Sequence, residues 1–137
     1  MAGAVRKLVP AELPVFVRIS ATDWADGARR GRDRRGCRRV AGAVRKLVPA
    51  ELPVFVRISA TDWVDGGWDV EQSVVLAGRL KELGIDLIDV SSGGLVPKAR
   101  IPVGKGYQVP LARKIRDEAR VMTCLLYTSD AADAPYV

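Results

Sequence analysis

The chain has 137 residues, a formal net charge of +6 and no histidine. This length accommodates one small domain. No apolar run approaches the roughly 18 residues that a membrane-spanning helix needs, so we expect no transmembrane segment. Arg6, Lys7 and Pro10 interrupt the N-terminus early, which argues against a secretory signal peptide.

Cysteine use indicates the redox environment. The two cysteines, Cys37 and Cys124, lie far apart in the sequence. Such a pair lacks the close spacing of the frameworks that staple small secreted domains. We therefore expect no disulfide framework and a cytoplasmic location.

The positive charge comes from one segment. Residues 28–40 contain seven arginines and one aspartate, which accounts for the whole net charge of +6. A basic surface spread over a folded domain favours polyanion binding, whereas an isolated Arg/Gly run favours a solvated segment. We expect a disordered linker at 28–40 and no nucleic-acid binding. A basic nucleic-acid-binding module that uses this run is the alternative.

An exact duplication lies at the N-terminus. Residues 2–24 recur without change at 41–63, an offset of 39 residues, and no third copy follows. Solenoid repeats share a pattern rather than every surface residue. We interpret residues 1–27 as a recent duplication or a sequence-assembly error. We expect the duplicate strand at 14–19 to pair beside the strand at 53–59.

The most informative stretch is Pro53–Gly93. Two short runs rich in Val and Ile, at 53–59 and 85–90, flank an amphipathic segment. Their length and composition predict a β-α-β unit with two parallel strands. A strand that carries Arg57 is unusual, because a buried guanidinium needs an anionic or acceptor partner. The partner is a ligand or, alternatively, an internal aspartate, Asp62 or Asp89.

The helix between the two strands has clear boundaries in the sequence. Asp69 and Gln72 form a capping-box pattern, and Gly84 fits the left-handed position after a helix. These signals predict a helix over about Val70–Leu83. Its predicted buried stripe contains Leu76, Leu80 and Leu83, with Val75 beside it.

A second helix and strand follow. The loop at 91–108 is long and rich in glycine, and loops of this length are usually functional or disordered. Val109 and Pro110 begin a predicted helix, whose apolar stripe is Leu111, Ile115 and Ala119. A further strand is predicted to begin at 120–123.

The residues Pro53–Trp63, Asp86–Gly94 and Gly106–Pro110, in this order and spacing, resemble the Old Yellow Enzyme family of FMN-dependent NAD(P)H oxidoreductases. The resemblance implies an α/β fold, the (β/α)8 TIM barrel, which needs about 250 residues. Residues 41–123 then form a partial barrel domain, around its fifth and sixth strands. Residues 124–137 do not resemble the family. They are similar to a translated sequencing adaptor, and we expect a non-native tail.

The resemblance implies cofactor-binding roles for Arg57 and Ser91. The arginine of the Val-Arg-Ile-Ser motif lies against the pyrimidine edge of FMN in the family, where a fixed cation stabilises the reduced, anionic flavin. The first serine of Ser-Ser-Gly is implied as a flavin or phosphate contact. The alternative for Ser91 is an ordinary strand-end hydroxyl. Both residues are expected where neighbouring parallel strands end, at the ligand-binding face of a barrel.

Three further side chains, Trp63, Tyr107 and Gln108, lie in these motifs, and Trp68 lies in the loop after the first of them. Trp63 and Trp68 line a substrate loop or, alternatively, anchor that loop. Tyr107 and Gln108 are expected to position a loop rather than to catalyse. We predict no metal site and assign no catalytic residue.

The resemblance also defines an expected reaction. The family passes hydride from NAD(P)H through FMN to an activated alkene, such as an α,β-unsaturated carbonyl, and holds the substrate with a His/His or His/Asn pair. This chain has no histidine, so we expect the chain itself to be inactive. The expected partner is a small-molecule substrate, and the parent enzyme is compatible with homo-oligomerisation. A different flavin-dependent TIM-barrel enzyme is a further alternative.

Overall fold

The computed structural model describes residues 15–18, 32–93 and 96–125, with side chains described over 36–93 and 96–125. Strands and helices alternate along the chain, as the predicted α/β class requires. The elements are β1 (Val15–Arg18), α1 (Arg32–Leu47), β2 (Val54–Ser59), α2 (Val70–Glu82), β3 (Leu87–Ser91), α3 (Val109–Ala119) and β4 (Met122–Leu125).

The four strands form one sheet in the order β1-β2-β3-β4, and each neighbouring pair is parallel. The predicted β-α-β unit is therefore confirmed. The duplicate strand pairs beside the original, as expected, and it does so in register with its own copy: Val15 lies opposite Val54, and Arg18 lies opposite Arg57.

Helix α2 begins and ends where the sequence predicts. The Asp69 side chain accepts hydrogen bonds from the Gln72 backbone N–H at 2.8 Å and from its Nε2 at 3.1 Å. Gly84 follows the helix with a φ of +84°. The expected place of Val75 in the core is wrong, because its side chain is exposed. Ser73 and Ala77 are buried beside Leu76 and Leu80 instead.

Helix α1 corrects the prediction of a disordered linker at 28–40. Residues 32–40 belong to one continuous helix with the copied residues that follow. Arginine is a good helix former, and a buried stripe at spacings of four, three and four residues crosses the junction. That stripe contains Cys37, Ala41, Val44 and Val48. Residues 28–31 lie outside the described residues.

The end of α1 is fixed by Arg45. Its guanidinium donates to the carbonyls of Val48, Pro49 and Leu52 at 3.0, 2.5 and 3.0 Å. Arg45 also lies 3.4 Å from the carboxylate of Asp86. These bonds hold the turn that follows α1, and they tie the end of the helix to the N-terminal ends of β2 and β3.

The expected boundary of the tail is also corrected. Arg120 caps α3 with a φ of +54°, and the last strand begins at Met122, within the predicted range 120–123. Cys124 and Leu125, assigned to a foreign tail by sequence, pair with Asp89 and Val90 of β3. Parallel pairing continues there because a strand needs only extended backbone and a neighbouring edge. Residues 126–137 lie outside the described residues.

The three helices cover one face of the sheet. Buried residues of α1, α2 and α3 form a single apolar cluster with the strand residues of that face: Val54, Val56, Ile58, Ile88 and Val90. Alternate strand residues point to the opposite face, which no described helix covers. None of the described helices is long and apolar enough to span a membrane.

Candidate functional site

The face of the sheet opposite the helices is organised in three layers by the strand register. Phe55, Leu87 and Met122 lie side by side near the strand starts and form an apolar layer. Arg57, Asp89 and Cys124 form a polar layer one step further. Ser59 and Ser91 form a hydroxyl layer at the strand ends. Of the two predicted site residues, Ser91 thus lies at the strand ends, where parallel barrels bind ligands, and Arg57 lies one layer before it.

Arg57 has an internal partner. Its Nε and Nη2 lie 2.6 and 2.5 Å from the same oxygen, Oδ2 of Asp89. The two side chains are 26% and 14% exposed, so this ion pair is largely removed from water. Of the two aspartates that the sequence offered, the structure uses Asp89, because adjacent parallel strands place it directly opposite Arg57. The cofactor role of Arg57 stays a prediction.

Two polar atoms of this face are buried without a hydrogen-bond partner among the described residues. They are Oγ of Ser59 and Oδ1 of Asp89. A buried polar atom without a partner costs about 1–3 kcal/mol, so such atoms mark positions where a ligand or water completes the structure. Ser91 is half-buried in the same layer as Ser59, and its carbonyl accepts from the Ala60 N–H at 2.7 Å.

The other two residues of the polar layer, Arg57 and Asp89, change the pKa of the Cys124 thiol. Burial raises the pKa of the Cys124 thiol, and the charge and hydrogen bond of Asp89 raise that pKa further. Arg57 opposes this by lowering the thiol pKa. Burial and, after it, Asp89 therefore favour the neutral thiol of Cys124, and Arg57 opposes them.

Asp62 has a structural role in the loop after β2. This fully buried residue accepts from the Trp68 N–H at 3.0 Å, and its own N–H donates to the Trp68 carbonyl at 3.0 Å. The Trp68 indole donates to Ser73 Oγ at 2.6 Å, and Ser73 donates to the Ala60 carbonyl at 2.9 Å. Trp68 is only 4% exposed. Of the two interpretations for Trp68, loop anchoring is the one that the structure supports.

Trp63 lies elsewhere, over the loop after β3. Its ring centroid is 6.4 Å from that of Tyr107, its φ is +59°, and its indole nitrogen is buried without a described hydrogen-bond partner. Gln108 Nε2 donates to the Tyr107 hydroxyl at 2.8 Å and to Ser92 Oγ at 3.2 Å. This links the start of α3 to the end of β3, which agrees with the expected positioning role of Tyr107 and Gln108.

Gly93 allows the loops to meet closely. Its φ is +71°, and a Cβ at this position would lie 2.5 Å from Ile101 Cδ1 and 3.3 Å from Trp63 Cδ1. Only glycine adopts this backbone conformation without strain and leaves that space open. The glycine therefore lets the backbone after β3 approach the side chains of Ile101 and Trp63.

The side chains of this face offer hydrogen-bond donors and acceptors to a ligand. Within the described ranges, no group of three or more His, Cys, Asp or Glu side chains could hold a metal ion. A partly exposed guanidinium, two serine hydroxyls and an unpartnered carboxylate oxygen provide both donors and acceptors. Sequence reasoning missed Ser59, although its two-residue spacing from Arg57 places it on the same face.

Comparison with curated proteins gives consistent matches. The chain is 55% identical over 110 residues to the NADPH dehydrogenase of Halalkalibacterium halodurans, covering 80% of this chain and 21% of that protein. It is 41% identical over 114 residues to an NADH:flavin oxidoreductase of Gibberella zeae, covering 82% and 21%. The NADPH dehydrogenase of a Geobacillus species is 56% identical over 57 residues, covering 42% and 16%. No protein-family model matches the chain.

Fold and relatives together define the class. An α/β chain with a polar layer at the ends of parallel strands matches proteins whose names indicate an oxidoreductase family. The chain belongs, as a partial sequence, to the Old Yellow Enzyme family. It spans about a fifth of the length of the curated relatives that it matches. The predicted family is therefore confirmed.

Proposed function

We propose that the chain is a segment of an FMN-dependent NAD(P)H oxidoreductase that reduces an activated alkene, such as an α,β-unsaturated carbonyl. The complete enzyme is a (β/α)8 barrel in this proposal, and residues 41–123 supply two of its inner strands and their helices. The observation that supports the proposal is that Arg57, in the polar layer, lies next to the hydroxyl layer of Ser59 and Ser91 at the strand ends.

The sheet supports a barrel origin. All four strands are parallel, and the described helices cover one face only. In a (β/α)8 barrel the helices form the outer ring, and the other face of the strands fills the interior in layers. The apolar layer near the strand starts and the polar layers near the strand ends match that arrangement.

Arg57 and Ser91 would hold the flavin, with Ser59 as a further contact. When bound, FMN supplies the acceptor and donor of hydride. The chain's own contribution is electrostatic: Arg57 provides a fixed cation against developing negative charge. Asp89 occupies Nε and Nη2 of Arg57, and no described protein group bonds Nη1. That nitrogen is the part of the guanidinium left for a ligand.

A grafting experiment tests the proposal. Residues 41–123 replace the matching segment of the Halalkalibacterium halodurans NADPH dehydrogenase, and bound FMN and NADPH oxidation are measured. We expect the graft to retain both. Arg57→Gln within the graft should lower the rate of flavin reduction about 10²-fold or release the flavin, whereas Arg116→Gln, at an exposed position of α3, should change neither. If Arg57→Gln changed neither bound FMN nor the rate of flavin reduction in the graft, the assignment would be contradicted.

The chain by itself is proposed to be inactive. It lacks the histidine pair that the family resemblance implies for substrate binding, and half of the sheet that a barrel needs is missing from the described fold. The purified chain should be colourless. A flavin absorbance band that copurifies with it would contradict this statement.

A further inference from the structure

We propose that Asp89 is a positioning residue that sets how strongly Arg57 stabilises reduced FMN. The carboxylate holds the guanidinium in place and cancels part of its positive charge, and it thereby lowers the reduction potential of the bound flavin. This inference rests on the proposed function, because it needs FMN on the face of the sheet opposite the helices. It goes further by assigning to Asp89 an effect of its own that can be measured.

The contact between the two side chains is close and shielded from water. Two donors of Arg57, Nε and Nη2, converge on Oδ2 of Asp89, and both side chains are largely buried. Charges interact more strongly at such a position than in bulk water. Among the described side chains, no other carboxylate forms an ion pair with Arg57, and Asp62 accepts instead from the Trp68 N–H. Asp89 therefore determines how much of the arginine charge is neutralised.

The strand register places this ion pair directly below the hydroxyl layer. Arg57 on β2 lies opposite Asp89 on β3, and Ser59 lies opposite Ser91 two residues further along both strands. Two residues of a strand span about 7 Å. An arginine side chain is long enough to cover this distance and an aspartate side chain is not, so Asp89 acts on a ligand at the strand ends through Arg57.

The charge of the pair determines the direction of the effect. Hydride uptake adds negative charge to a flavin, and a fixed cation favours the form that carries this charge. A carboxylate beside the cation reduces the positive potential at the ligand. Removal of the carboxylate, with the arginine kept, therefore favours reduced FMN and raises the reduction potential. Removal of the arginine has the opposite effect.

The reduction potential of FMN in the grafted enzyme tests the inference. Asp89→Asn keeps the size of the side chain and an acceptor oxygen but removes the charge. It should favour reduced over oxidised FMN at least about tenfold, which raises a two-electron potential by about 30 mV or more. Arg57→Gln should lower the potential, and Asp89→Asn should have a smaller effect in that background. Asp117→Asn removes an equal charge at an exposed position of α3 and should leave the potential unchanged.

A second neutral variant covers the case in which Asp89→Asn does not fold. Asp89→Thr suits a β-strand and should raise the potential as well, with circular dichroism to verify the fold. An unchanged or lowered potential in a folded Asp89 variant would overturn the inference, as would an equal shift with and without Arg57. Loss of the fold or of bound FMN in both variants would assign Asp89 a structural role only, and would overturn it too.

Failure of this inference is distinguishable from failure of the proposed function. If Arg57→Gln lowers the potential and the Asp89 variants leave it unchanged, the role of Asp89 is wrong and the proposed function stands. If the graft binds no FMN, or if Arg57→Gln leaves the potential unchanged, the proposed function is contradicted and the inference about Asp89 fails with it.

Discussion

Asp89 holds Arg57 through a single carboxylate oxygen, with Oδ2 2.6 Å from Nε and 2.5 Å from Nη2. This geometry fixes the plane of the guanidinium, since two donors converge on one acceptor. The other oxygen of Asp89 stays buried without a described partner. The Asp89 carboxylate thus positions the Arg57 guanidinium between β2 and β3. Its second oxygen stays beside the guanidinium as a hydrogen-bond acceptor.

The first prediction concerns this ion pair. Asp89→Asn should destabilise the chain by about 1–3 kcal/mol, because it leaves the largely buried guanidinium without a counter-charge. Urea unfolding measures the change. Asp117→Asn removes the exposed partner of Arg116 and should change the unfolding free energy by less than about 0.5 kcal/mol. Equal effects of the two substitutions would show that the Arg57–Asp89 pair contributes nothing specific.

The second prediction concerns the thiol of Cys124, whose raised pKa keeps it mostly protonated at about pH 8. Asp89→Asn should lower that pKa and speed alkylation several-fold, since it removes a neighbouring negative charge. Arg57→Gln should slow alkylation, because Arg57 lowers the thiol pKa. Mass spectrometry over a pH series separates Cys124 from the buried Cys37. Rates that do not respond to either substitution would rule out this coupling.

The third prediction concerns the anchor of the loop after β2. Ser73→Ala removes the acceptor of the Trp68 indole and the donor to the Ala60 carbonyl. We expect a loss of about 1–3 kcal/mol from these buried groups. Trp68→Phe removes the indole N–H, so the double variant should be less destabilised than the sum of the two single variants. Strict additivity in thermal unfolding would mean that the two side chains act independently.

The fourth prediction compares two glycines. Gly93→Ala should destabilise by about 1–3 kcal/mol, because it combines a φ of +71° with a 2.5 Å approach to Ile101. Gly78→Ala, in the middle of α2 with no atom within 4 Å of the added carbon, should stabilise by about 0.5–1 kcal/mol. Chemical denaturation of both variants measures whether each substitution raises or lowers the free energy of unfolding. An unchanged free energy of unfolding for Gly93→Ala would contradict the close approach.

Local signals in the sequence were sufficient for the β-α-β unit. Capping residues and a terminal glycine define α2, because the N–H groups at a helix start need acceptors and the residue after a helix often adopts a positive φ. Arg57 and Ser91 lie near the ends of two apolar runs, and this position predicted that both lie toward the same end of a parallel sheet. Family resemblance, and not pattern, supplied the flavin.

The sequence did not reveal features that depend on tertiary contacts. The Arg-rich run is helical because the stripe that includes Cys37 and Ala41 meets the core, and composition alone does not show that contact. The choice of Asp89 over Asp62 as partner of Arg57 required the strand register. The extension of β4 through Leu125 required a free edge of β3.

The pairing of β1 with its own copy raises a question of uniqueness. Val15–Arg18 and Val54–Arg57 have the same sequence, so their side chains offer β3 two interchangeable neighbours. The copied segment ends at Trp63, and the contacts of Trp68 with Ser73 come after it. The copied segment therefore does not distinguish β1 from β2 by its own side chains, and the residues after Trp63, including Trp68 and Ser73, make the two copies different.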